Sequence, residues 1–257
     1  MSHARFAPLL LDQVIVGDCL DVLPTLPPRC AALVFADPPF NIGYEYDQYD
    51  DRLTRADYLR FTDDWFAAVL RVLAPDGSLF VQIADEWAGY LQVRLDALGL
   101  TWRNTIIWSF EFGTHQQHKF GRDHQQILYY VRDPKRYTFN ADAVRVPSAR
   151  QTRYGDKRAD PRGRVPGDVW HFPRVCGTFH SRNKGGVGCQ TPEAVLDRII
   201  RVASDPDDLV VDPFAGSGTT LAVAKALGRH FVGIELSAAY ADGVRRRLGG
   251  RSPVSVA

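Results

Sequence analysis

The 257-residue sequence is poor in cysteine, with four in all: Cys19, Cys30, Cys176 and Cys189. No two of them form a C-x-x-C pair, which argues against a structural zinc site and for a reducing compartment. Long apolar runs are also missing. A stretch such as Ala31–Ala36 is far too short to cross a bilayer, so no membrane partner is expected. The first residues show no basic stretch followed by an apolar one, so no signal peptide is expected and the expected location is the cytoplasm. There is no internal repeat. Net charge is nearly absent as well, since 31 Lys+Arg against 30 Asp+Glu leave +1. The composition, 45% hydrophobic and 24% charged, is that of a soluble globular protein and excludes global disorder. The length fits one large domain, or one domain with an insertion, whose core needs no covalent staples.

The near-zero charge conceals a segregation. Residues 1–110 hold 8 basic and 15 acidic side chains, net −7; residues 111–188 hold 15 and 7, net +8; residues 189–257 hold 8 of each. The middle third is therefore a basic block in a neutral-to-acidic chain. It reads either as a solvated, loop-rich insertion or as a surface for a polyanion, nucleic acid first. Candidate cations are Lys119, Arg122, Arg153, Lys157, Arg158, Arg174, Arg182 and Lys184.

Apolar runs predict strands at 14–16, 31–36, 78–83, 102–108, 124–131, 209–211 and 230–234. Apolar residues at helical spacing predict helices at 19–26, 58–73, 87–98, 192–203, 219–227 and 238–248, with Thr191 as N-cap of the fourth and Pro192 in its first turn. Residues 75–77 read as a turn. The polar, tyrosine-rich stretch 41–55 reads as a mobile loop, and 147–168, where no period survives, as a long loop. Continuous apolar strands alternating with helices imply an α/β fold: a doubly wound, mostly parallel sheet covered on both faces.

Two segments carry chemistry. In the first, Asp212-Pro213-Phe214-Ala215-Gly216-Ser217-Gly218-Thr219-Thr220 joins a strand to a helix. Its two glycines let the backbone turn sharply and approach a ligand, and the free N–H groups of a new helix favour electron-rich atoms. Glu235 ends the next strand, where an acid can accept hydrogen bonds from ribose hydroxyls. A glycine turn alone could serve helix packing; the whole set points to a nucleoside-containing cofactor. No G-K-[ST] follows, so it is not a P-loop. Leu221 stands where a dinucleotide site has its third glycine.

In the second, Asp37-Pro38-Pro39-Phe40-Asn41 follows the buried strand 31–36, at the strand end where open α/β sheets place ligands. The two prolines remove two N–H donors and fix φ, so the backbone offers rigid acceptors only. The lone pair of a nucleobase amino group is delocalised into the ring. Accepting both its hydrogens, on the Asp37 carboxylate and the Pro38 carbonyl, favours a pyramidal nitrogen as a bond forms. Phe40 can stack on the base. Taken alone, the tetrapeptide could be a strand-ending turn.

On these residues the sequence resembles the S-adenosylmethionine-dependent amino DNA methyltransferases of the β, permuted, class. Asp37-Pro38-Pro39-Phe40 matches the family's catalytic motif, Asp212 to Gly218 its cofactor motif, and Glu235 its ribose-binding acid. Gly17-Asp18-Cys19 resembles the element that contacts the adenine of the cofactor, and Gln190-Thr191-Pro192-Glu193 the motif before the helix preceding the cofactor loop. The catalytic motif precedes the cofactor motif, which is the order of the β class. The resemblance implies a circularly permuted, Rossmann-like sheet with a catalytic half at 1–110, a target-recognition region at 111–188 and a cofactor half at 189–257. It implies S-adenosylmethionine held by Asp18, Cys19, Asp37, Gln190, Thr191, Asp212, Phe214, Ala215, Gly216, Ser217, Gly218, Thr219, Thr220, Glu235 and Leu236. The partner it implies is double-stranded DNA with the target base flipped out; a homodimer and a cognate restriction endonuclease are further partners it admits. An Asp before Pro-Pro is the usual adenine-N6 form, with cytosine N4 as the alternative. An RNA or protein amino methyltransferase normally carries its motif after the cofactor loop, and an inactive DNA-binding relic would not need both motifs. Direct transfer needs no thiol nucleophile, so the cysteines are read as packing residues. His115, His118, His124, His171 and His180 are read as phosphate or core contacts, and no metal is expected.

Overall fold

A computed structural model describes residues 11–110, 116–175 and 190–249. In chain order the elements are β1 (Gln13–Val16), α1 (Cys19–Val22), β2 (Ala31–Ala36), α2 (Arg55–Val72), β3 (Leu73–Ile83), α3 (Asp85–Ala97), β4 (Thr101–Ser109), β5 (His124–Val131), α4 (Ala149–Thr152), β6 (Val169–His171), α5 (Glu193–Ala203), β7 (Leu209–Asp212), α6 (Thr219–Ala226), β8 (His230–Glu235) and α7 (Ala238–Arg247), with 3₁₀ turns at Leu23–Thr25 and Ala141–Val144. The strands form one sheet in the order β1-β8-β7-β2-β3-β5-β4-β6. All neighbours are parallel except β3–β5 and β4–β5, so β5 alone runs against the rest. No helix among the described residues is long and apolar enough to cross a membrane.

Alternate residues of the central strands serve two cores. Val34, Ala36, Leu79 and Val81 pack against the first core with Trp65 and Phe66 of α2 and Leu91 of α3. Leu33, Phe35 and Phe80 pack into the second with Val195 and Ile199 of α5, Leu221 of α6 and Val244 of α7. Helices of the first half of the chain thus cover one face and those of the last third the other. This is why the central strands β2 and β7 run Ala-Ala-Leu-Val-Phe-Ala and Leu-Val-Val, apolar rather than alternating. Helix α2 begins where Thr54 caps the Asp57 amide at 3.2 Å, and its apolar positions bury Trp65, Phe66, Val69 and Val72.

Most expected elements stand within a few residues of their predicted ends, and four features differ. The 75–77 turn lies inside β3: pairing runs Ala31↔Leu73 and then Leu33↔Ser78, so these residues bulge out of the strand. Strand β6, too short for any pattern, is added alongside β4, with Ile107 N–H donating to Asp168 at 2.7 Å. The 147–168 stretch contains α4, closed by a reciprocal capping box between Ser148 and Gln151, and a bridge between Val146 and Arg164. The 41–55 stretch, expected to be mobile, is a built loop. Asp51, 2% exposed, accepts the backbone N–H groups of Asn41 at 2.7 Å, Ile42 at 3.0 Å and Tyr44 at 2.9 Å. Asn41, held at φ 53°, clasps Leu53 from both its amide atoms.

Replacing Asp51 by Ala strands three amide donors, at about 2 kcal/mol or more in total. The expected result is faster hydrogen exchange at the amides of 41, 42 and 44 and a melting temperature lower by roughly 4–8 °C. Unchanged exchange at these three amides would refute the clamp.

Candidate active site

All the strands parallel to β2 end on one edge of the sheet, and the pairing of β2 with β7 (Leu33↔Val210, Val34↔Val211) sets the two sequence motifs side by side there. Between them opens a cavity of about 620 Å³. Asp37 stands at its floor. Its Oδ2 accepts Gln82 Nε2 at 3.1 Å and the Thr191 hydroxyl at 3.3 Å, and Gln82 Nε2 also lies 3.0 Å from Thr191 Oγ1. Gln82, at the end of β3, is 2% exposed. Thr191, 154 residues from Asp37, is not the N-cap expected of it. The first helical residue is Glu193, extended Pro192 precedes it, and the threonine hydroxyl is spent on the carboxylate. Tyr58 Oη donates to the Pro39 carbonyl at 2.7 Å, and no described group donates to the Pro38 carbonyl.

On the other side, β7 runs into the glycine turn. Gly216 (φ 49°) donates its N–H to Glu235 Oε2 at 2.8 Å, and Ser237 N–H donates to Oε1 at 2.9 Å, which leaves lone pairs of both oxygens for the cavity. Gly218 (φ 74°) backs onto α7, where a Cβ would fall 2.4 Å from Val244 Cγ1; only glycine lets the turn and that helix meet. Asp212, 2% exposed, accepts the Phe214 N–H at 3.0 Å. Arg247 ties the turn down by donating to the Ser217 carbonyl at 2.9 Å and pairing with Glu193 at 2.7 Å. Asp18 caps α1 through the Leu20 N–H at 2.8 Å.

Burial, followed by the charge of Asp212, pushes Asp37 up to about 7 against the pull of its two hydrogen bonds. Burial likewise pushes Asp212 up to about 7, with the Glu235 charge adding to it, and raises Glu235 itself. Among the described residues, and with Asp18 and Asp47, the cavity wall carries five carboxyl groups against one guanidinium, that of Arg174. The apolar lining comes from Phe40, Phe61, Phe214 and Trp108.

Of the residues singled out in sequence, Asp18, Cys19, Asp37, Pro38, Pro39, Phe40, Gln190, Thr191, Asp212, Phe214, Ala215, Gly216, Ser217, Thr219, Thr220, Glu235 and Leu236 all line this cavity, and Gly218 lies behind it. Gln82, Gln125, Trp108 and Tyr49 line it unforeseen. A glutamine in the apolar run Leu79-Phe80-Val81-Gln82-Ile83 was the one available signal for the first. Cys19 and Cys30 are buried thiols with raised pKa, as packing residues would be. Among the basic candidates, Arg174 stacks over Phe110 at 4.6 Å and reaches the cavity wall. Lys119 and Lys157 are exposed, and Arg153 lies over the Tyr154 ring at 5.5 Å. Arg122 pairs with Asp85 at 2.7 Å and Arg158 with Asp156 at 3.0 Å, so neither is a spare cation. Arg182 and Lys184 lie outside the described residues, as do His115, His180, Cys176 and Cys189.

A doubly wound sheet whose edge joins an acid-proline-proline-aromatic turn to a glycine turn and a strand-end acid defines a Rossmann-like methyltransferase fold. The family model described as DNA methylase, of the N6/N4 type, matches residues 31–246. Similar proteins include the type II methyltransferase M.HpaI of Haemophilus parainfluenzae, 32% identical over 240 residues that cover 93% of this chain and 74% of the relative. The DNA adenine methyltransferase YhdJ of Escherichia coli K12 is 37% identical over 243 residues, covering 91% and 82%. Among solved structures, the cytosine-N4-specific PvuII DNA methyltransferase superposes with a TM-score of 0.71 at 18% identity, covering 90% of this chain and 84% of that one. The M1.HpyAVI–SAM complex gives 0.64 at 21%, covering 92% and 98%. The chain belongs to the N6/N4 DNA methylase family.

The raised carboxyls predict a pH dependence of stability. Between their ordinary range near 4 and about 7, the folded protein holds protons that the unfolded chain has released, so stability falls as pH rises through this window. The ligand-free protein is therefore expected to melt at a lower temperature at pH 7.5 than at pH 5.5, and Asp212→Asn to flatten the difference. A melting temperature that climbs over that interval would contradict the assignment.

Proposed function

We propose that the chain transfers a methyl group from S-adenosylmethionine to the exocyclic amino group of a base flipped out of duplex DNA, adenine N6 first and cytosine N4 second. The observation that carries this is that Asp37, Pro38 and Phe40 line one cavity with the glycine turn and Glu235, whose described wall carries five carboxyl groups. Such a wall suits a cationic ligand, whose charge relieves the mutual repulsion of Asp37, Asp212 and Glu235. It is wrong for a phosphate-bearing one. The residues fit the cofactor: Glu235 has lone pairs left for a ribose diol, the glycine turn permits close approach, and Asp18, Cys19 and Phe214 line the remainder. S-adenosylmethionine supplies an electrophilic methyl carbon on a positively charged sulfur that leaves as a neutral thioether.

The chain's own groups do the rest. Asp37 and the Pro38 carbonyl accept the two amino hydrogens and so localise the nitrogen lone pair. Phe40 stacks on the base, and Gln82 and Thr191 fix the carboxylate that receives it. The proton released from the amino nitrogen passes to the Asp37 carboxylate, whose burial favours the protonated form. Adenine is placed first because aspartate precedes Pro-Pro and because the relative at 37% identity is named a DNA adenine methyltransferase. A cognate restriction endonuclease and a homodimer belong to the same proposal. The first is suggested by the type II names of relatives, and light scattering of the free protein tests the second.

Mass spectrometry of nucleosides from DNA incubated with the protein and S-adenosylmethionine is expected to show N6-methyladenine. N4-methylcytosine would select the second reading, and neither base would reject both. Asp37→Ala is expected to lower the transfer rate by at least ~100-fold while cofactor binding survives; retained activity would remove Asp37 from its role.

The basic segment makes a separate prediction. Arg153 and Lys157 are exposed and outside ion pairs among the described residues, whereas Arg158 is held by Asp156. Neutralising Arg153 and Lys157 together is expected to reduce the slope of log K against log salt by about 2, and neutralising Arg158 by less. Equal slopes for all variants would move the interface elsewhere.

A further inference from the structure

The segment between β4 and β5 carries an exposed aromatic side chain that the chemistry above does not use. Phe120 is 99% exposed; the next large apolar side chains, Val93 and Tyr154, reach only 68% and 67%. Its neighbours are His118, Lys119, Gly121 and Arg122, so a ring that gains nothing from water stands among cations. The sheet sets where the segment is rooted. Strands β3 and β4 are both antiparallel to β5, so the end of β4 and the start of β5 lie on the sheet edge where Asp37 sits. Phe110 N–H donates to the Asp123 carbonyl at 2.8 Å and closes the base of the segment. Arg122 is pinned to Asp85 and Glu86 at the start of α3 by contacts of 2.7 and 3.5 Å. Two residues past that base, Gln125 lines the cavity, and its Oε1 is buried without a partner among the described residues.

We propose that Phe120 enters the duplex and fills the gap left in the base stack when the target base turns into the cavity. This rests on the reading that the substrate is a base flipped from duplex DNA. An inserted apolar ring replaces the stacking that the neighbouring bases lose. Lys119, one residue away, meets a phosphate. Arg122 ties the root of the segment to α3 on the sheet edge where the cavity lies, so insertion of the ring needs no rearrangement of the core. Because Phe120 touches no packed neighbour, its replacement leaves the fold intact.

The test uses single-turnover methylation of a duplex oligonucleotide carrying a site mapped from methylated DNA. The same oligonucleotide is compared with an abasic position opposite the target base, where unstacking is already cheap. On the matched duplex Phe120→Ala is expected to be roughly 10-fold slower than the parent, with the abasic duplex restoring it to within about 3-fold and Phe120→Trp close to the parent on both. With 2-aminopurine at the target position, the parent is expected to raise fluorescence and Phe120→Ala to raise it less. Parent-like rates for Phe120→Ala on the matched duplex, or an equal deficit on both duplexes, would overturn the wedge while leaving the methyltransferase reading standing. A parent protein that methylates neither duplex would overturn that reading and the wedge with it. A change in solution mass of Phe120→Ala, with unchanged rates, would assign the ring to contact with a second copy and overturn the proposal.

Discussion

The site depends on the pairing of β2 with β7 at the centre of the sheet. Two short runs, Leu33-Val34 and Val210-Val211, lie far apart in the chain yet side by side in the fold, each buried on both faces. That contact puts Asp37 and Asp212 at adjacent strand ends and closes one cavity from two motifs. It also explains why the two halves of the chain provide opposite layers. The first half wraps one face of the strands, the last third wraps the other, and both deliver their functional loops to the same edge. Bringing two carboxyl groups together at a buried edge costs ionisation free energy, visible in the raised pKa of each. A fold that accepts this cost is arranged to receive positive charge.

Electrostatics divides the molecule by task. The cavity is acidic, and the segment that follows β5 is basic, but much of the basic character is held internally. Asp156 receives Arg150 and Arg158, and Asp142 and Asp160 receive Arg145 and Arg162. These exposed pairs contribute little to stability individually. Their effect is to fold an Arg-, Gly- and Pro-rich stretch into a defined shape. The cations left for a polyanion are fewer than the fifteen basic residues of 111–188, though the net +8 already subtracts their acids. Counting basic residues alone overstates an interface whenever acids are interleaved at turn spacing.

The rigidity of the catalytic turn comes from groups outside the motif. Tyr58 holds the Pro39 carbonyl, Asp51 gathers the amides that follow Phe40, and Gln82 and Thr191 orient the carboxylate. The motif supplies the chemistry, and β3, α2 and the loop 41–55 hold it still. Each holding group comes from a different segment, which fits a turn that must keep its acceptors aligned with no N–H of its own at Pro38 or Pro39.

Much of this was legible in the residue order. Strands 31–36 and 124–131 are found at their expected ends; the first is apolar throughout because it is buried within the sheet, and the second is apolar and buried from Ile127 to Val131 and stops where polarity returns at Arg132. The glycine turn, the strand-end acid and the proline pair are local devices whose backbone demands are written in their own residues. The holding contacts were not legible. Thr191 looked like a helix cap because Thr-Pro-Glu before an apolar period is a cap signal; only the approach of β2 and β3 offered its hydroxyl a buried carboxylate instead. Asp51 looked like one acid among many in a polar loop until the chain folded back over it. Strand β6 exists because β4 leaves an edge for it. Sequence fixes what depends on neighbours along the chain, namely periodicity, turns and the identity of reactive groups. Tertiary structure decides which groups find partners across it, because a hydrogen bond inside a protein is set by position in space.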